Sequence, residues 1–306
     1  MEFFRIKRDL PFMRYARTTV FVSLVFFAVA VAALIARGLN LNVDFTGGTV
    51  IELQFKAATP PSAIRRLLMA HHYHHARVEN YGTASKVLIR LPTRATKGKA
   101  LAVRVLRLVS ARYPGASLRS VEYVGPEVGS ELADQGALAL LFVALGITIY
   151  LTLRFEWRFA VGAIVATIHD VVIVLGVFAL FHISFSLTVL AAILAVLGYS
   201  VNDTVVVFDR IRENFRRMRT GTTAEVIDSA ITRTLSRTVM THLLTQMMVL
   251  SMLFLGGPVL FGFALAMTVG IVVGTYGSVL VASPIVMWLG LKREDLVARK
   301  AAAERP

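Results

Sequence analysis

No cysteine occurs anywhere in the chain. That absence excludes disulfides, thiolate metal sites and cysteine nucleophiles, and it is compatible with any compartment. Charge is scarce as well. Charged residues make up 17% of the chain and hydrophobic residues 56%, whereas a soluble domain carries about a quarter charged and about half apolar residues. Such a chain is built largely for lipid. Acids are scarcer than bases, 19 against 33, so the formal net charge is +14. A basic excess of this size suits nucleic acid in principle, but its placement along the chain argues for a lipid bilayer and no nucleic acid.

What is present is a set of apolar runs, each close to the roughly 20 residues that cross a bilayer. They fall at 18–36, 136–153, 159–181, 187–208, 239–255 and 259–288. The first follows Arg14 and Arg17, as a signal peptide would. Its apolar core exceeds the roughly 7–15 residues of such a segment, so it reads as an uncleaved anchor. Arginine and lysine set the orientation. Arg5, Lys7, Arg8, Arg14, Arg17, Arg154, Arg158, Arg210, Arg212, Arg216, Arg217, Arg219, Arg233, Lys292 and Arg293 all fall on one side. The short opposite turns, 182–186 and 256–258, hold neither residue type. Both termini are therefore expected in the cytoplasm, with a segment 1–17, a loop 209–237 and a fraying tail 292–306 on that side.

The polar block 37–134 then lies outside the cytoplasm, since long loops translocate largely regardless of charge. "TVIELQF" alternates as a strand, and Pro60–Pro61 opens a helix running to Ala70. "ARVENY" and "KVLIRLP" read as strands joined at Gly82. Residues 97–112 have helical spacing, with Leu101, Val105, Leu108 and Val109 on one face, and "ASLRSVEYV" closes as a strand. The order β-α-β-β-α-β predicts an α+β ferredoxin-like domain, inserted into an all-α membrane bundle of six helices.

Candidate sites divide between the two parts. "HHYHH" places His71, His72, His74 and His75 within ligand spacing, but the helix before it is short and ends there, so a solvated helix end explains the cluster. "DFTGG" (44–48) lacks the lysine and following helix of a phosphate loop and reads as a turn into the first strand. No nucleophile–base pair or metal constellation appears at usable spacing, so neither an enzyme nor a metal or other cofactor is expected.

The membrane acids say more. Asp203 lies about six residues, or roughly 9 Å, before Arg210. An ionised carboxylate near a span centre costs about 2.5–3.5 kcal/mol on insertion scales, and such groups mark ion or proton paths. His169 and Asp170 interrupt the third run, which suggests a polar interior shared with Asp203. Thr241, His242, Thr245 and Gln246 form a stripe on the fifth, extended toward the cytoplasm by Arg237. Asp209 meets Arg210 and Arg212 at the interface as an ion-pairing residue. Gly262, Ala266, Gly270, Gly274 and Ser278 recur every fourth residue, as close helix packing requires.

"VDFTGGT", "VGPEVGSEL", "HDVV", "GYSVNDT" with "DRIREN", and "SRT", in that order, resemble the SecF family over nearly the whole chain. The resemblance implies an RND-like half of six spans with an exported domain after the first. It also implies SecD, the SecYEG channel, YajC and a preprotein substrate as partners, in the bacterial inner membrane. Proton flow would drive late steps of preprotein export. Asp203 matches the family's proton-coupling acid and Arg237 the basic residue that partners it, whereas His242 and Gln246 depart from the small and hydroxyl residues of the pattern. Two further readings are a proton-coupled small-molecule transporter half and a non-conducting scaffold for SecD.

Overall fold

The computed structural model describes residues 8–92, 98–218 and 220–294. Arg5, Lys7, Lys97, Arg219 and the tail from residue 295 lie outside the described residues. Helix α1 (Ala16–Arg37), entered through a tight turn at Met13–Tyr15, leads to strand β1 (Asn40–Leu41) and a single helical turn, α2 (Val43–Thr46). The polar block follows as β2 (Gly48–Gln54), α3 (Pro61–Ala70), β3 (Arg77–Tyr81), β4 (Thr83–Leu91), α4 (Gly98–Arg112) and β5 (Ser117–Val124). Its sheet has the order β3-β4-β2-β5, every pair antiparallel.

Strand periodicity explains this block. Ile51 and Leu53 of β2 and Val87, Ile89 and Leu91 of β4 all point to one face. There they pack with Ile64 and Leu68 of α3 and with Leu101, Val105 and Val109 of α4. Each such side chain contributes about 1.5–3 kcal/mol on burial. Leu108 sits at the margin of this core. The other face carries Val50 and Leu88, which pack on Val43 of α2.

The bundle continues with α5 (Pro126–Arg154), α6 (Trp157–Leu180), β6 (Ser184–Phe185), α7 (Leu187–Arg217), α8 (Thr223–Leu255), α9 (Gly257–Gly277) and α10 (Ser283–Trp288), with a π-helical segment, Ser278–Ala282, between the last two. Among the described residues, six helical segments are long and apolar enough to cross a membrane. α6 and α7 are about half buried, whereas α1, α5 and α8 leave most of their surface uncovered. This central pair carries the two buried acids, Asp170 and Asp203.

Three boundaries differ from the sequence reading. α5 begins at Pro126, so the "VGPEVGSEL" segment is already helical. Residues 209–237, expected as a loop, are helical apart from the short link between Arg217 and Thr223. Hydropathy ends at the arginines, but helix does not. Glu213 pairs with Arg210 and Arg217 one turn away on each side, a spacing that supports an exposed helix. Thr222 and Glu225 form a reciprocal capping box that starts α8. The sixth span is not a regular helix throughout. Pro284 has no N–H for the carbonyl of Leu280, and Thr19 of α1 reaches that oxygen at 3.5 Å.

Candidate functional site: a polar cluster inside the bundle

Helical spacing brings a set of polar side chains inward. Ser200 and Asp203 are three apart on α7, Thr238 and His242 four apart on α8, and Thr275 and Ser278 three apart along the sixth span, so each pair shares a face. Asp170 and Asp203 are both buried, as are His169 and His242. The Ser200 hydroxyl donates to Asp170 Oδ2 at 2.5 Å. His169 Nδ1 lies 2.9 Å from Asp170 Oδ1, and its Nε2 lies 2.5 Å from the Ser23 hydroxyl of α1. Asp203 accepts from Thr238 at 3.0 Å on Oδ1 and from Ser278 at 2.5 Å on Oδ2. His242 Nε2 stands 3.7 Å from Asp203 Oδ1, and its Nδ1 is bonded to the Thr275 hydroxyl.

The two carboxylates belong to one cluster. Ser200, which holds Asp170, is one turn before Asp203 on the same face of α7. The sixth span closes over both. A Cβ on Gly277 would lie 2.5 Å from Asp170 Oδ1, and the next residue, Ser278, bonds Asp203. The small-residue stripe thus has two uses. Gly262 and Gly270 seat the span against Val189 and Val196 of α7, and Ser278 at its end supplies a donor. Hydroxyl donors to a buried carboxylate offset part of the cost of taking it out of water.

The expected site residues separate accordingly. Asp203, Asp170 and His169 come together, but Arg237 is exposed and the contact to Asp203 comes from its neighbour Thr238. One residue on a helix is a rotation of about 100°, enough to turn the arginine away. Asp209 sits with Arg154 of α5 at 2.8 Å and with Arg212 at 3.4 Å. Arg210 instead pairs with Glu213 at 2.6 Å. These pairs are largely solvated and contribute little individually. His71, His72, His74 and His75 are exposed, and His71 Nδ1 closes the end of α3 on Leu67 O at 2.9 Å. Ser23, Ser200, Thr238, Thr275 and Ser278 were not identified as site residues from sequence. Their signal is the face they share with an acid one turn away or on the facing helix.

Outside the bundle core, the glycine pair is tied to the cluster's central helix. Gly47 has φ +67°, and a Cβ there would lie 2.7 Å from Pro126 Cα, so "DFTGG" and "VGPEVG" meet backbone to backbone. Asp44 Oδ2 accepts from Leu187 N at 3.0 Å, at the first turn of α7. β1 pairs in parallel with β6, aligning Asn40 with Ser184 and Leu41 with Phe185. A cavity of about 710 Å³ lies between the face of the sheet that carries Val50 and Leu88 and the outer turns of the bundle. Tyr81 lines it, and burial pushes its phenol up, with Glu52 and Glu122 adding and Arg90 opposing. At the opposite end, Asp228 of α8 accepts from Met13 N at 2.8 Å and Thr232 from Leu10 N at 3.0 Å.

Fold and site together define a multi-pass helical membrane protein with an inserted α+β block and paired carboxylates in its core. Sequence comparison carries this further. The family described as "Protein export membrane protein SecD/SecF, C-terminal" matches residues 105–292, and the "SecD/SecF GG Motif" matches residues 32–59. The chain belongs to the SecD/SecF family. It is 42% identical to the protein translocase subunit SecF of Pseudomonas aeruginosa, over 97% of this chain and 98% of that one. It is 40% identical to SecF of Vibrio alginolyticus, over 99% and 97% respectively. The crystal structure of SecDF from Thermus thermophilus, titled a translocon-associated membrane protein, superposes with a TM-score of 0.85 at 38% identity. That match covers 94% of this chain but 39% of the SecDF chain, so this chain spans about two fifths of that longer protein.

Proposed function

We propose that this chain acts as the SecF subunit of the Sec translocase accessory complex, pairing with SecD in the inner membrane with both termini cytoplasmic. Proton movement through the bundle promotes preprotein export through SecYEG, with YajC as a further partner. The block between α1 and α5 is a ferredoxin-like exported domain, and the bundle is one RND-like half. The protein works by binding and coupling, without an enzymatic reaction.

The observation that carries this reading is the buried Asp203, held by Thr238 and Ser278 in the centre of apolar helices. Ionisable groups inside a membrane are expensive and serve ion or proton paths. The link from Asp44 to the first turn of α7 gives the exported domain a direct connection to the helix bearing that acid. The test is preprotein export into inverted membrane vesicles, with and without a proton gradient. Asp203→Asn is expected to abolish the gradient-dependent stimulation while still co-purifying with SecD. Full stimulation in the variant would replace this reading with that of a scaffold.

A further inference from the structure

His242 is a buried titratable group that the proposed function does not yet use. Its hydrogen bonds bear on its tautomer, which we assign from them. The Thr275 hydroxyl has one proton, and Ile271 O, 2.6 Å away, is the acceptor to which we assign it. Toward His242 it can therefore only accept, so the ring proton of neutral His242 sits on Nδ1. Nε2 is then a bare lone pair, and it faces Asp203 Oδ1 at 3.7 Å. Two lone pairs cannot stably face each other in a buried site. A proton on either atom turns that repulsion into attraction. Closing the gap to hydrogen-bond length takes a shift of under about 1 Å.

We propose that Asp203 and His242 form a dyad that holds one mobile proton between them. The proposal rests on the proton-coupling reading of Asp203 and adds a second carrier to it. In the transfer, the O–H bond at Asp203 Oδ1 breaks and an N–H bond forms at His242 Nε2. A neutral pair becomes a carboxylate and an imidazolium, with no change in net charge. The Thr238 and Ser278 hydroxyls already point at the carboxylate that results.

The groups that face this pair come from α7, the sixth span and α6. α7 presents Asp203 and Tyr199, whose ring centroid lies 5.0 Å from that of His242. The sixth span presents Thr275 and Ser278. Asp170 and His169 of α6 are engaged with Ser200 and Ser23 beyond Gly274 and Gly277. α10 has no ionisable side chain, and Arg237 on α8 itself is exposed.

The test combines a pH profile with a spectroscopic signature. Gradient-driven export into vesicles is measured across pH for the wild type, His242→Gln and His242→Ser. Either His242 variant is expected to displace the profile by about one pH unit or more, since coupled groups titrate as a pair. Superimposable profiles overturn the dyad. If Asp203→Asn retains gradient dependence, the underlying coupling reading fails instead. The second measurement keeps His242 in place. In histidine-labelled protein, the nitrogen spectrum of His242 is expected to show protonated Nδ1, with an Nε2 resonance that titrates and changes in Asp203→Asn. An Nε2 signal indifferent to Asp203→Asn, or a proton on Nε2 with bare Nδ1 at alkaline pH, overturns the proposal.

Discussion

Single atoms decide what this cluster tolerates. Gly277 is the clearest case, because the carboxylate of Asp170 occupies the space where a Cβ would go, 2.5 Å away. Gly277→Ala must displace Asp170 or the sixth span, and overpacking of this kind costs about 1–3 kcal/mol. Its thermal unfolding in detergent is expected well below that of wild type. Gly146→Ala on α5, where a Cβ meets nothing within 4 Å, serves as the control. Equal midpoints for the two variants would show that the approach of Asp170 is not tight. The residue scale is also where the sequence was hardest to read. Asp203 announces itself, since an acid in an apolar run has few explanations. Its partners do not, because the choice between Arg237 and Thr238 depends on how α8 is rotated against α7. That rotation is fixed by packing across helices, which periodicity within one helix cannot supply.

Elements fix how the sheet block engages the bundle. β1 and β6 are two residues each and form too little ladder to be stable alone. They persist because Asn42 N also donates to Phe185 O at 2.8 Å and Asp44 accepts from Leu187 N, the residue after the Ser186 cap of α7. Removing that acceptor with Asp44→Ala should loosen the start of α7 by about 1 kcal/mol. Amide exchange at Leu187, whose N–H Asp44 accepts, is expected to rise roughly fivefold, while Asp44→Asn, which keeps an oxygen acceptor, recovers much of the protection. Unchanged exchange in Asp44→Ala would mean the contact is incidental. The strands and apolar helices of this chain were legible because a period of two or a run of about 20 apolar residues survives in one sequence. Helix ends were not, since α7 and α8 continue through arginines, glutamates and a capping box that hydropathy ignores. The meeting of Gly47 with Pro126 was equally hidden, for nothing local links positions so far apart.

At the scale of the whole molecule, the distribution of charge and the absence of cysteine combine into one experiment. The basic end of α7 carries Arg210, Arg212, Arg216 and Arg217, and Arg154 and Arg158 flank the turn between α5 and α6. The turns at the other end of the bundle, 182–186 and 256–258, carry neither lysine nor arginine. Lysine and arginine near span ends are retained in the cytoplasm, so the sheet block is expected on the far side. A chain with no cysteine of its own lets a single introduced thiol report its side without background. Lys56 in the block and Arg216 at the end of α7 are both exposed, so neither substitution disturbs a core. In intact spheroplasts, Lys56→Cys is expected to react with a membrane-impermeant maleimide and Arg216→Cys only after the membrane is opened. The reverse pattern would invert the protein. It would also place the cavity beneath the sheet on the side from which a preprotein departs, which is incompatible with a domain that acts on the emerging chain.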